Sequence, residues 1–373
     1  MIKLNTILTF FALAFLVSCS QSENTVPEPP KVGSQSFKII QENINGKDIV
    51  VVGSGQRNIV TAFEAGFGSV TLQFEPTSDF IPSVMKDQRG NTYNIFGQVI
   101  EGPDMGKSLK PVNAGMGFWF AFASRYPGME LHGEGTLDVN VNTDPDNDWL
   151  VPTQYVAQGA GFDAIQSLQS AKFEEYNVSQ LDPDDKFYLN ENDLVIAVNI
   201  DGEERVYPIS ILNWHEVIND EIAGVPISVT HCPLTGTSKV WRRPEFLDET
   251  TFGVSGFLYN SNLLAFDRVT ESFWTQIEAL CVFGDLKSEQ LEVIPHVETT
   301  LATWTTFDIS PLIMSDDTGI IRDYTKYPYG DYRTNHASIS YPLAYDDDRL
   351  KRKERVFCVE VGGTAKAYRL SDF

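Results

Sequence analysis

Two short segments in the middle of this 373-residue chain carry side chains able to do chemistry. The first is Asn213-Trp214-His215-Glu216, in a run whose apolar spacing predicts a helix over 210–219. The second is His231-Cys232-Pro233-Leu234-Thr235-Gly236-Thr237, which follows a predicted strand and opens a Gly/Thr loop. A helix followed closely by a strand can bring His215 near Cys232. Three chemistries fit. His215, His231 and Cys232 are nitrogen and sulfur ligands of the kind copper or zinc prefers, copper first in an oxidising compartment. Alternatively, His215 acts as the base that makes Cys232 a nucleophilic thiolate. The third reading is a buried core cysteine beside a hydrogen-bonded structural histidine. Adjacent strand residues face opposite ways, so His231 and Cys232 ligate together only if the strand ends before them, which Pro233 allows.

A second group of candidates is polar and aromatic. Tyr259-Asn260-Ser261-Asn262 reads as the lining of a polar pocket or as a turn. Arg322-Asp323-Tyr324, followed by Tyr327, Tyr329 and Tyr332, reads as a binding rim or as a cap on a β core. Tyr259, Asn260, Arg322 and Asp323 are therefore the candidates for holding a small molecule, glycan or cofactor. Gly253-Val254-Ser255-Gly256 lacks the spacing of a nucleophile elbow. Asp346-Asp347-Asp348 and Lys351-Arg352-Lys353 read as a solvated charge run, and the acidic stretch 142–148 as a surface linker.

The elements that must position these residues are mostly strands. Short β-branched and aromatic runs, such as Ile49-Val50-Val51-Val52 and Val225 to Thr230, alternate with Gly, Asn and Asp. Helices are expected only over 163–172, 210–219 and 299–307. Residues 194–209 alternate around an Asp201-Gly202 turn, the pattern of a hairpin, and 355–370 repeats it at an offset of 161. A weaker echo links 93–127 to 273–311. The expected fold is mainly β with a few short helices, a β-rich α+β class. It would have two pseudo-repeated β lobes, closed by the C-terminal hairpin returning to the N-terminal lobe. The expected divisions are an N-terminal lobe over 37–150 and a core domain over 151–373, with 355–370 packing on the first lobe.

The N-terminus reads as a targeting signal. One lysine precedes a roughly dozen-residue apolar run, too short for a comfortable membrane span. It ends Leu16-Val17-Ser18-Cys19, which resembles a bacterial lipobox, so Cys19 is the expected lipidation site, carrying acyl chains such as palmitate. Residues 20–36, with Pro27, Pro29 and Pro30, read as a tether. The expected product is a lipid-anchored, extracytoplasmic envelope protein, with Ser20 favouring the outer over the inner membrane. Its partner is the membrane, through the lipid. The net charge of −23 argues against nucleic acid as a partner. Beyond Cys19, three cysteines remain, so at least one thiol is unpaired.

Taken together, Leu212-Asn213-Trp214-His215-Glu216, Gly224-Val225-Pro226, Cys232-Pro233-Leu234, Gly236-Thr237, Leu258-Tyr259-Asn260-Ser261, Asp267-Arg268 and Arg322-Asp323-Tyr324 are similar to a prokaryotic family catalogued as domain of unknown function 3179. The resemblance covers about 160–370 and implies no activity. In that family the loop usually looks like Tyr-Cys-Pro-Leu-Cys-Gly-Thr. Here His231 and Thr235 replace the tyrosine and the second cysteine, so a two-cysteine redox cycle in this loop is impossible. Either His231 takes over as a ligand, or this member keeps the fold without the family's chemistry. The functional expectation is a metal or thiol redox site around His215 and Cys232. The rival readings are a noncatalytic binding module and a structural envelope protein.

Overall fold

In a computed structural model, the described residues are 37–77, 81–146, 148–176, 188–247 and 250–373. Cys19, the expected lipidation site, and the expected tether over 20–36 lie outside them. Residues 35–373 form one compact unit. It is mostly β, in several sheets, none of them closed.

Turn chemistry sets the hairpins. Asp201 (φ +51°) and Gly202 (φ +87°) join Leu194–Ile200 to Glu203–Pro208. Asn45-Gly46 and Ala223-Gly224 hold positive φ at both turn residues in the same way, as a tight two-residue connection requires.

The strand wiring has an internal correspondence. In one sheet His296–Thr300, Leu194–Ile200, Glu203–Pro208 and Leu312–Met314 lie side by side; the last pair is parallel and the others antiparallel. In another, Asn113–Phe118, Arg355–Val361, Thr364–Arg369 and Glu130–Leu131 take the same order and the same directions. Each leading edge strand runs straight into a seven-residue helix: α1 (Trp119–Arg125) follows Asn113–Phe118. A three-stranded antiparallel meander also occurs twice, at 38–64 and 217–242.

Two expectations about helices need correction. Residues 163–172 are irregular. The Leu168 N–H donates to Val217 O and Leu168 O accepts from Asn219 N–H, at 2.9 and 2.8 Å, so this segment lies along the 217–222 strand. Its start is fixed by Asp163, which pairs with both terminal nitrogens of Arg268. Tertiary pairing has overridden the amphipathic pattern. The second helix, α2 (Ile209–His215), stops before Glu216, which is left-handed (φ +58°). Val217 and Ile218 belong to the strand Val217–Ile222, where both are fully buried, as suits β-branched side chains. The third helix, α3 (Leu301–Phe307), forms as expected, and the Thr300 hydroxyl accepts from the Thr303 N–H at its start.

The core is aromatic and falls into several clusters, with Trp119, Trp241, Trp274 and Trp304 fully buried. The C-terminal hairpin contributes Phe357, Val359 and Tyr368 to a cluster with Ile49, Val51, Val60 and Met116. Phe357→Ala should cost about 3–5 kcal/mol in urea unfolding, the range for emptying an aromatic core position. A loss well below that range would show that the hairpin is only loosely held.

Candidate functional site

His215 sits on the last turn of α2, and both of its nitrogens are used. Nδ1 lies 2.7 Å from the Gln166 carbonyl oxygen, which only accepts, so Nδ1 carries the proton. Nε2 therefore accepts from the Tyr324 hydroxyl, also at 2.7 Å. The Tyr324 oxygen lies a further 2.7 Å from the Thr318 hydroxyl. Burial holds the imidazole pKa below its ordinary value. His215 is thus neutral and tied on both sides, and it pins the irregular segment after Met314 to α2. No nitrogen is left over for a metal or for Cys232.

Cys232 closes the strand Val225–Cys232. The strand runs through both His231 and Cys232, paired with Ser238 and Thr237, so the two neighbours face opposite sides. The buried thiol donates to Ser261 O at 3.8 Å. Burial pushes its pKa up to about 11, helped by the Glu216 carboxyl. Cys281 and Cys358 are also buried and unpaired. Thr235 joins a buried network in which Asn262 Nδ2 donates to the Thr235 and Thr237 hydroxyls, at 2.8 and 2.9 Å, and Thr237 donates to Gln276 Oε1 at 2.6 Å. Among the described residues, no three His, Cys, Asp or Glu side chains converge as a metal site would require.

His231 faces a different environment. It lines a cavity of about 470 Å³ together with Ser210, Asn213, Arg333, Lys353 and Arg355. Its Nδ1 lies 3.0 Å from Ser238 Oγ, and the Ser238 hydroxyl donates to Glu298 Oε2 at 2.9 Å. Ser238 has one proton and spends it on Glu298, so Nδ1–H must be the donor to Ser238 and Nε2 holds the lone pair. Glu298 is in turn paired with Arg355. Burial pushes the His231 pKa down to about 4, opposed by the Glu298 carboxylate and reinforced by Arg355.

The polar groups of this cavity are incompletely satisfied. Asn213 lines the cavity and is 7% exposed. Ser210 Oγ and Arg355 Nε are buried and have no hydrogen-bond partner among the described residues. A buried polar atom without a partner costs about 1–3 kcal/mol, an arrangement that makes sense where a ligand completes it. Lys353 is 4% exposed and donates to the Asn335 carbonyl at 2.9 Å and to that of Tyr332. Burial brings its pKa down to about 8. The reading of 346–353 as a solvated run therefore fails at Lys353, and at Asp347, which is buried against Arg349. A larger groove of about 640 Å³ runs past Lys110, Arg125 and Glu278, but the last two are paired with each other.

The remaining candidates fall elsewhere. Tyr259 and Asn260 line a cavity of about 10 Å³, room for no more than a water. Asn260 is engaged with Ser124 O and the Ala344 N–H. Arg322 lies over the Trp214 ring, and Asp323 pairs with Lys326 at 2.7 Å. Neither lines the His231 cavity. Sequence reasoning had picked out His231 but missed Ser210, Arg333, Lys353 and Arg355, and it gave Asn213 no role. The one available signal was Asn213 itself, a polar residue among the apolar positions of α2.

The family model described as "Protein of unknown function (DUF3179)" matches residues 162–373. The chain belongs to this family. Every residue lining the cavity except Phe118 lies within the matched span. No curated protein and no solved structure matches the chain.

Glu216 provides a test of this arrangement. It is buried, accepts from the Tyr329 hydroxyl at 3.1 Å, and has its pKa raised by burial from an ordinary 4.5 to about 7. A raised carboxyl pKa stabilises the fold at low pH, and that contribution is lost as pH rises from about 4.5 through about 7. Glu216→Gln removes the titration and keeps the acceptor. In urea unfolding, the variant should gain on the wild type as pH rises through this window. A difference that does not change with pH would show that Glu216 is solvated.

Proposed function

We propose that the chain is a lipid-anchored envelope protein that binds a small organic anion in the His231 cavity. The observation that carries this reading is the convergence of Arg333, Lys353 and Arg355 on one cavity that also holds Ser210 Oγ and Arg355 Nε, two atoms buried without a hydrogen-bond partner among the described residues. Concentrating three cations at one opening in a chain of net charge −23 runs against its composition. An anion repays that arrangement by charge-assisted hydrogen bonds.

The anchor is the acyl chain expected on Cys19, with 20–36 as tether, which places the binding unit outside the cytoplasmic membrane, at the outer membrane in this reading. The membrane is the partner through that lipid alone, since the acidic surface would be repelled by anionic headgroups and by nucleic acid alike. The metal or redox reading of His215 and Cys232 draws no comparable support, because His215 already has both nitrogens bonded. The two corresponding strand successions fit pseudo-equivalent lobes, of which the second carries most of the pocket.

Calorimetric titration of the protein from residue 20 with benzoate, benzenesulfonate and phenyl phosphate tests the proposal. Arg333 is exposed at the rim, its guanidinium 4.8 Å from the Tyr327 ring. Arg333→Glu should weaken binding by about tenfold or more, with added salt weakening it further. Wild-type affinity should fall as pH rises through about 8, where Lys353 loses its charge. No binding by any of the three anions, or binding indifferent to the Arg333 charge, overturns it.

A further inference from the structure

We infer that the ligand is an apolar body bearing a doubly charged anionic head, a phosphate monoester or a close dicarboxylate, and that His231 takes up one proton when it binds. The inference rests on the anion-pocket reading and adds the ligand's charge, its body and a specificity-determining residue.

Charge sets the first part. Arg333, Lys353 and Arg355 bring three positive charges to the cavity. Asp193 on its wall and Glu298 behind Arg355 bring two negative ones. One positive charge remains, enough for a monoanion with His231 neutral. A dianion needs one more, and His231 is placed to supply it. These are also the charged groups that surround it: Glu298 and Arg355 act on the ring directly, and Asp193, Arg333 and Lys353 share its cavity.

The hydrogen-bond chain sets the second part. Nδ1–H is committed to Ser238, and Ser238 to Glu298. Among the described residues, the position on the ring left open is the Nε2 lone pair. A proton from solvent adds there, giving an imidazolium whose Nε2–H donates to a ligand oxygen while Nδ1–H keeps its bond to Ser238. The Glu298 carboxylate at the far end of the chain stabilises the cation. Without ligand, burial keeps the ring neutral, with a pKa of about 4. The second negative charge of the ligand provides the field that reverses this. Asn213 and Ser210 stand by to hydrogen-bond the head.

The apolar part of the lining sets the third part. Phe118, Leu194, Ile209, Pro233 and Tyr327 line the same cavity. Inorganic phosphate or sulfate would leave that surface wet. A ring or short chain covers it and withdraws that apolar surface from water.

Phenyl phosphate and benzenesulfonate separate these elements. They share the ring, but the sulfonate carries one fixed charge, whereas the phosphate, whose second ionisation lies near 6, is mostly a dianion at about pH 7. Titrations at about pH 7 in two buffers of different ionisation enthalpy count the protons taken up. For phenyl phosphate the expected count is about one per ligand, and for benzenesulfonate it is near zero, any uptake by Lys353 being common to both. His231→Gln should weaken phenyl phosphate at least about tenfold, change benzenesulfonate by less than about threefold, and abolish the proton uptake. Inorganic phosphate should bind more weakly than phenyl phosphate. The wild-type proton count stands without the variant, so a misfolded variant does not spoil the test. Phenyl phosphate binding with no proton uptake overturns the role of His231 and leaves the anion pocket standing. Failure of phenyl phosphate alone overturns the dianion inference, and failure of benzoate along with both of these probes overturns the pocket itself.

Discussion

A carboxylate withdrawn from water has to be paired, and Glu298 is 4% exposed. It sits on the strand His296–Thr300 and receives the Ser238 hydroxyl on one oxygen and Arg355 on the other. Those two partners come from the 237–242 strand and from the first residue of the C-terminal hairpin. The single buried charge therefore ties three sheets together, and through Ser238 it fixes the tautomer of His231. The cavity inherits its orientation from this contact. Arg355 can line it only because Glu298 holds the guanidinium, and His231 presents Nε2 only because Nδ1 is already spent.

The segment between Met314 and Arg355 has almost no regular structure, yet it is held at many points. Tyr324 is fixed by His215, Tyr329 by Glu216, and the Tyr327 hydroxyl donates to Pro233 O at 3.1 Å. Long irregular stretches inside a compact unit are usually functional. Here the stretch brings Arg333 and Lys353 to the cavity, and His215 of α2 and Glu216 just beyond it serve as its moorings. Residues that look like chemistry in the sequence thus act as attachments, and the groups poised for a ligand stand beside them.

Much of the β architecture was readable from local signals. The alternation around Asp201-Gly202 and its echo at 355–370 specify hairpins because turn geometry is a local property. The 163–172 helix was misread because an edge pairing with 217–219, a property of the fold, outweighed amphipathic spacing. The candidate site was readable only in part. His215 and Cys232 have the right types and a plausible spacing, but neither shows in sequence that Gln166 and Tyr324 fill both imidazole nitrogens. Lys353 looked solvated because its neighbours are charged; its burial depends on the carbonyls of Tyr332 and Asn335, which only the path of the backbone brings together. Asn213 stood in a recognisable motif beside His215, but only the fold shows that it lines the cavity with Ser210.

Because Arg355–Val361 lies between Asn113–Phe118 and Thr364–Arg369, the middle of that sheet is made from the end of the chain. The side chains of Asn113 and Glu360 meet across 247 residues. During synthesis the 113–118 strand must wait, with an open edge and an apolar face, until nearly the whole polypeptide has emerged. Closing so long a loop is slow, and open strand edges invite wrong pairing. The 113–118 strand cannot lock prematurely, and a polypeptide truncated before residue 355 lacks the two strands that complete its sheet.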